Sequence, residues 1–236
     1  MRELNHILVP VDFSFTSTNA LKYGIEMAKC CNAKLSILHA YRFAHPSIIG
    51  KKSPGQELRR ILLEKINGEF ENLKSSLLSE VELNYDVHSN VGFTEDVIHS
   101  MTSHTPVDMV VVGNKGAEET TNVFGSTVTT LVDVVNVPLL TVPGNVSFSH
   151  WDNVIIASNK LHGVDHTAIS SITPKLKSRL GSGAVKNTTI SELIDNYNYV
   201  ASNDLVTLEQ KDFKQLNHLL MNTEEKNFTI PLLVVN

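Results

Sequence analysis

Residues Val111–Val128 read VVGNKGAEETTNVFGSTV, and the reading of this stretch decides the fold. The apolar run leading into it, VDMVVVG from Val107 to Gly113, is continuous rather than alternating, as in strands covered on both faces. It ends at a glycine. A second follows at Gly116, and a third, Gly125, stands directly before Ser126 and Thr127. From about Ser126 to Asn136 the pattern is helical, and VPLLTV (Val137–Val142) is again a buried strand, with Pro138 at its start where a lost N–H is tolerated. Gly113 lets the chain turn sharply and lets a ligand come near the backbone. Gly125, Ser126 and Thr127 open a helix whose free N–H groups and positive dipole end attract an anion. The hydroxyls of Ser126 and Thr127 are potential donors to phosphate oxygens. The bland alternative makes these glycines plain turn residues and Ser126 a plain cap. A Walker A loop is excluded, because no Gly-Lys-Ser/Thr is present.

Working outward, ILVPV (Ile7–Val11) reads as a buried strand closed by Asp12, with Ser14, Thr16 and Ser17 as cap candidates for a helix that stops near Asn32. LSILHA (Leu35–Ala40) is a second buried strand. Glu57–Leu78 predicts a long helix with Leu58, Ile61, Leu62, Ile66, Phe70, Leu73 and Leu77 along its stripe. VELNYDVH (Val81–His88) alternates and predicts a half-exposed edge strand. Thr94, Glu95 and Asp96 open a short helix, with a cap and acids in its first turn. Strand and helix alternate to Val142, which predicts an α/β fold: an open, mostly parallel five-stranded sheet with helices on both faces. Such sheets take ligands beyond the carboxyl ends of their strands, where strand order reverses. Asp12, Ala40 and Gly113 all stand at such ends.

After Gly144 the pattern starts again. DNVIIASN (Asp152–Asn159) echoes NHILVPVD (Asn5–Asp12), VTLEQKD ends at Asp212 where VVVGNKG stood, and IPLLVV (Ile230–Val235) repeats VPLLTV. The first strands are offset by 147 residues, from Asp12 to Asn159, and the last prolines by 93, from Pro138 to Pro231. Residues 1–145 thus form a complete unit, and 149–236 a truncated second copy. The loss falls mostly before Ser191, where the first copy carries its second strand, long helix and edge strand.

Bulk properties narrow the function classes. Hydrophobic residues make up 42% of the 236, and 20 basic against 25 acidic side chains leave a net charge of −5. No basic field exists to attract nucleic acid or an anionic membrane. The two cysteines, Cys30 and Cys31, are adjacent and form no CxxC, which suits a reducing, cytoplasmic setting. No secretory leader or membrane-spanning run is read.

VPVDFS near the start, LHA at the second strand's end and GNKG…GST before the fourth helix, closed by VPLLTVP, resemble the universal stress proteins. The resemblance covers the first 143 residues and, more faintly, the second half. It implies an adenine nucleotide alpha hydrolase-like sheet and a stress-response regulatory role with ATP as ligand, with Mg2+ or Mn2+ as the candidate accompanying ion. Carried over, it implies that Asp12 contacts the ribose or adenine and that the backbone at Ala40 reads the adenine edge. Gly113, Gly116, Gly125, Ser126 and Thr127 would surround the phosphates; Pro10, Val11, Ser14 and Val112 complete the implied site. It further implies pairing through last strands, so that the two halves mimic a dimer within one chain; a homodimer stays open.

The loop departs from the family pattern in two ways. Only residues 117–124 separate Gly116 from Gly125, one fewer than expected, and Glu118 and Glu119 put carboxylates beside the phosphate place, offset in part by Lys115. The second half offers Asn159 for Asp12 and LEQKDFKQLNHLL, without glycine, for the loop, which leaves it a packing role. No base is placed to activate water, so an enzyme is not expected and ATP hydrolysis is at most slow. The alternative function is an interaction module with both sites decayed. His162 and His166, flanking Asp165, have zinc-ligand spacing, but no metal is assigned. No GxSxG elbow occurs, and DFSFTS stands where adenylating relatives carry Ser-Gly-Gly.

Overall fold

The computed structural model describes residues 4–43, 54–114, 123–159, 184–196, 200–201, 204–222 and 228–235. In the first half these form β1 (His6–Pro10), α1 (Phe15–Cys31), β2 (Lys34–Tyr41), α2 (Pro54–Leu73), β3 (Tyr85–Val91), α3 (Thr94–His104), β4 (Met109–Asn114), α4 (Gly125–Val134) and β5 (Leu139–Pro143). The second half follows with β6 (Val154–Ser158), β7 (Val185–Thr189), α5 (Ile190–Asp195), β8 (Leu205–Glu209), α6 (Gln210–Met221) and β9 (Leu232–Val235).

The strands make one sheet in the order β3-β2-β1-β4-β5-β9-β8-β6-β7. The expected five-stranded parallel sheet is present, and it continues without a break into the four strands of a second repeat. Every pairing is parallel except β5 with β9. β1, β4 and β5 are buried along nearly their whole length because both faces are covered. Successive residues serve opposite faces: Ile7 and Val9 join the core beneath α1 and α2, while Leu8 joins the core with α3, α4 and α6.

The register of the second half reproduces that of the first. Ile7 faces Met109 and Leu8 faces Val110; at the equivalent places Val154 faces Leu205 and Ile155 faces Val206. Val110 faces Leu139, as Val206 faces Leu232. At the junction Leu139, Leu140 and Thr141 face Val234, Leu233 and Leu232. Exchanging each residue for its repeat counterpart maps this set onto itself, with the Leu140–Leu233 pair at the centre, so a local twofold relates the two strands. Acids at equivalent places mark the same correspondence. Asp108, just before β4, accepts from the amides of Asn5 and His6 at 3.0 Å, and Asp204, just before β8, accepts from the Asn153 side chain at 2.8 Å.

Several sequence expectations shift. Within the predicted stripe, Ile66, Phe70 and Leu73 are buried, but Leu58 and Ile61 are 56% and 50% exposed, because the first turns of α2 extend past the sheet they would cover. The helix ends in a π turn, Lys74–Leu78, where Ser76 and Ser79 hydroxyls donate back to the Asn72 and Ser75 carbonyls. β3 lies at the sheet edge as expected, but it starts at Tyr85 rather than Val81. Its partner β2 begins at Lys34, and Leu35 faces Tyr85, so Val81–Leu83 have no neighbour to pair with. The cap position of α3 is Phe93, without a side-chain bond, which makes Thr94 the first helical residue. In the second half a strand survives where none was expected: β7 lies beside β6, the place β2 holds beside β1. LEQKDFKQLNHLL is no loop, since β8 runs to Glu209 and α6 begins at Gln210.

The connection between halves is pinned to α1. Asn19 Nδ2 donates to the carbonyls of Pro143 at 3.0 Å and Val146 at 2.7 Å, and buried Trp151 donates to the Tyr23 hydroxyl at 2.6 Å. Cys30 and Cys31 lie half-buried in the last turn of α1. Among the described residues no helix is long and apolar enough to cross a membrane.

Candidate functional site

The chain leaves β1 toward β2 on one side of the sheet and leaves β4 toward β5 on the other, so strand order reverses between β1 and β4. A cavity of about 310 Å³ opens there, beyond the carboxyl ends of β1, β2 and β4. Pro10, Val11 and Asp12 form its β1 wall, Ala40 comes from β2, and Val112 and Gly113 come from β4. Ser14 stands at the start of α1, and Gly125, Ser126 and Thr127 bring the first turn of α4. Gly116, Lys115, Glu118 and Glu119 lie outside the described residues.

The turn from β1 into α1 is built by short side chains. Val11 N–H donates to the Leu38 carbonyl at 2.8 Å, which ties the strand end to β2. Asp12 Oδ1 accepts from the Ser14 amide at 3.0 Å, and the Ser14 hydroxyl caps α1 by accepting from the Ser17 amide at 3.3 Å. Between them Phe13 takes a left-handed φ of 63°, an uncommon conformation for a bulky residue. Packing holds it there: its ring lies 4.6 Å from that of His39 and 5.2 Å, edge-on, from Phe70 of α2. His39 Nδ1 donates to the Val11 carbonyl at 2.7 Å, so that nitrogen carries the proton and the histidine braces the strand end. Asp12 is left exposed at the cavity mouth.

Gly113 has a different reason from the one its sequence suggests. A Cβ there would stand 2.7 Å from the Thr16 carbonyl oxygen and 2.9 Å from its carbon. The bareness lets α1 sit against β4, and Thr16 also occupies the space beside Gly144. Gly125 fits its expectation better. Its φ is +76°, no described atom lies within 4 Å of a Cβ there, and Phe124 at the N-cap position of α4 makes no side-chain hydrogen bond. The first-turn amides of α4 therefore look into the cavity without a side-chain partner at the cap position.

Thr16, Ser17, Thr94, Phe124 and Val128 also line the cavity. Thr16 and Ser17 had a signal, but one that reads as capping alone. Thr94 arrives from a separate element, and no local pattern marks it. Among the described lining residues Asp12 is the one ionisable side chain. Among the described lining residues, helix amides and hydroxyls are what an anion would meet. Among the described residues no group of three His, Cys, Asp or Glu could hold a metal ion; His162, Asp165 and His166 fall outside them. In the second half nothing separates β8 from α6, whereas residues 115–124 separate β4 from α4. The described second repeat has no phosphate loop.

The model of the universal stress protein family matches residues 3–143. No curated protein sequence matches the chain. Among solved structures, a universal stress protein from Archaeoglobus fulgidus aligns over 99% of this chain and 98% of its own, at 12% identity and a TM-score of 0.55. A hypothetical protein whose biochemical function was assigned from its structure aligns over 60% of this chain and 97% of its own, at 24% identity and a TM-score of 0.51. A universal stress protein family member from Arabidopsis thaliana, with AMP bound, aligns over 59% and 91%, at 17% identity and a TM-score of 0.41.

Proposed function

The chain belongs to the universal stress protein family, and on that premise we propose that its first repeat binds an adenine nucleotide, ATP in the fullest form, as a stress-response regulator. The observation that carries this is the cavity at the reversal of strand order, with a carboxylate on one wall and an uncapped helix start on the other. Adenine lies against the apolar strand ends at Val11 and Ala40, where main-chain N–H and C=O read its edge. Asp12 accepts from the ribose hydroxyls. Phosphate oxygens meet the amides and hydroxyls of Gly125, Ser126 and Thr127.

The residues present suit a nucleotide and form no cage for an ion. Mg2+ or Mn2+ would be held mainly through the phosphates and would keep several of its own waters, offsetting phosphate charge there. In this reading the site holds the nucleotide with at most slow hydrolysis. The second repeat takes up the β5 edge through β9, in the manner of a dimer partner carried within the chain. The reducing, cytoplasmic setting read from the cysteines agrees with such a role.

The test is direct. Denatured after purification from the cell, the protein releases about one adenine nucleotide per chain. Added ATP with magnesium at a hundredfold excess over Kd stabilises the apo protein by about 2.7 kcal/mol. A melting temperature indifferent to millimolar nucleotide rules the reading out. A second reading, an interaction module without nucleotide, draws on Gly113: Thr16 alone accounts for that glycine.

A further inference from the structure

Phe124, the residue before Gly125, belongs to two environments. Its ring lines the cavity of the first repeat, yet it is fully buried among rings of the second. Phe213 of α6 lies 5.0 Å away between ring centroids, and Phe228, ahead of β9, lies 5.4 Å away. Both partners are themselves buried. At this separation aromatic rings attract beyond their area burial. The N-cap position of α4 is Phe124 itself, which offers no side-chain hydrogen bond, and Gly125 is conformationally permissive, so the packing of the Phe124 ring bears directly on how the helix starts. Farther along the helix, Gln210 Nε2 donates to the Val132 carbonyl at 2.6 Å and Lys214 pairs with Asp133 at 3.0 Å. These contacts tie the far end of α4 to α6, while among the described residues Phe124, with buried Val123 and Val128 beside it, ties the near end into the core it shares with Phe213 and Phe228.

We propose that Phe213 and Phe228 are positioning residues for the nucleotide site of the first repeat. The second repeat, which has no phosphate loop after β8, holds the start of α4 at the angle phosphate binding needs. This rests on the nucleotide reading of the cavity. The mechanism is preorganisation: with the Phe124 ring anchored, the first-turn amides already point into the cavity and no ordering is required on binding. With a void beside that ring, the helix start samples other orientations. If one molecule in about ten then holds the competent one, the apparent Kd rises about tenfold.

The experiment uses the full chain, with Phe213→Ala and the milder Phe213→Leu, which keeps a large apolar side chain where the alanine variant fails to fold. Val154→Ala, in the core on the opposite face of the sheet, is the control for general loss of stability. Hydrogen exchange is followed in nucleotide-free protein at Thr129–Leu131, whose helical acceptors are the carbonyls of Gly125–Thr127. ATP with Mg2+ is titrated by calorimetry. Both Phe213 variants should raise exchange at those amides and weaken binding on the order of tenfold, while Val154→Ala does neither. A wild-type chain that binds ATP, with folded Phe213→Leu binding equally and exchanging no faster, overturns the proposal alone. A wild-type chain that binds nothing overturns the nucleotide reading and this proposal with it.

Discussion

The carbonyl oxygen of Thr16 stands 2.7 Å from where a Cβ on Gly113 would lie. The floor of the cavity is thus set by a contact between α1 and β4, and the glycine that seems to invite a ligand in fact admits a helix. The obstacle is main chain, which has no rotamer to change. Gly113→Ala should therefore destabilise the protein by about 1–3 kcal/mol through overpacking, read as a lower urea midpoint at unchanged slope. An unaltered midpoint would show that α1 moves away freely.

Gly125 calls for a different outcome. Space surrounds it, but its φ of +76° disfavours any side chain. Gly125→Ala should cost about 1–2 kcal/mol, the ordinary penalty of a left-handed L-residue, and should weaken ATP binding because the helix start tilts. If alanine is tolerated with full affinity, the orientation of this turn does not govern phosphate contact.

Asp12→Asn separates charge from architecture. Asparagine keeps an oxygen to accept from the Ser14 amide, so the turn into α1 survives and stability stays within about 0.5 kcal/mol. Losing a charged acceptor for ribose should remove about 1.5–3 kcal/mol of binding, roughly ten- to hundredfold in affinity by calorimetry. The change also recreates what the second repeat carries, Asn159, at the same place. Equal affinity in wild type and variant would move the ribose elsewhere.

Leu140 and Leu233, both fully buried, meet at the one antiparallel junction of the sheet. Leu233→Ala should cost about 2–5 kcal/mol. Because the sheet is continuous, both halves should melt together. Fluorescence of Trp151, the sole tryptophan, and far-ultraviolet dichroism should report coincident transitions. Separate transitions would mean that the repeats fold independently.

Far from the cavity, His6 Nε2 lies 2.7 Å from the buried Ser36 hydroxyl, which donates to Asp86. Burial, then the nearby Lys34 charge, lower the His6 pKa below its usual 6.5, against the opposing pull of Asp86 and Asp108. The unfolded chain therefore takes up this proton more readily than the folded one. Stability from this group is complete above the unfolded value and is lost as pH falls through the lowered folded value. Denaturation midpoints should drop as pH falls through and below the ordinary histidine value of 6.5, and His6→Gln should flatten that drop. An identical slope in the variant would assign the effect to another group.

The strands were legible because doubly covered strands read as continuous apolar runs, and the glycine before Ser126 marked a helix start that the structure places at the cavity. Shifts of a few residues at strand ends, as at Tyr85, follow from where the neighbouring strand begins, which local pattern does not encode. Exposure of Leu58 and Ile61 has the same origin: helical spacing tells which residues share a face, not whether the sheet extends beneath them.

By itself the sequence determined the order of elements in the first half, the repeat and its offsets, and the residue types at the mouth of the first and fourth strands. Those follow from period, backbone freedom and hydrogen-bonding capacity, which are properties of short segments. Only the tertiary structure decided that Thr16 occupies the space beside Gly113, that Thr94 joins the cavity, and that Phe213 and Phe228 hold Phe124. Such contacts join residues distant along the chain, and they exist only once the sheet has fixed where each helix lies.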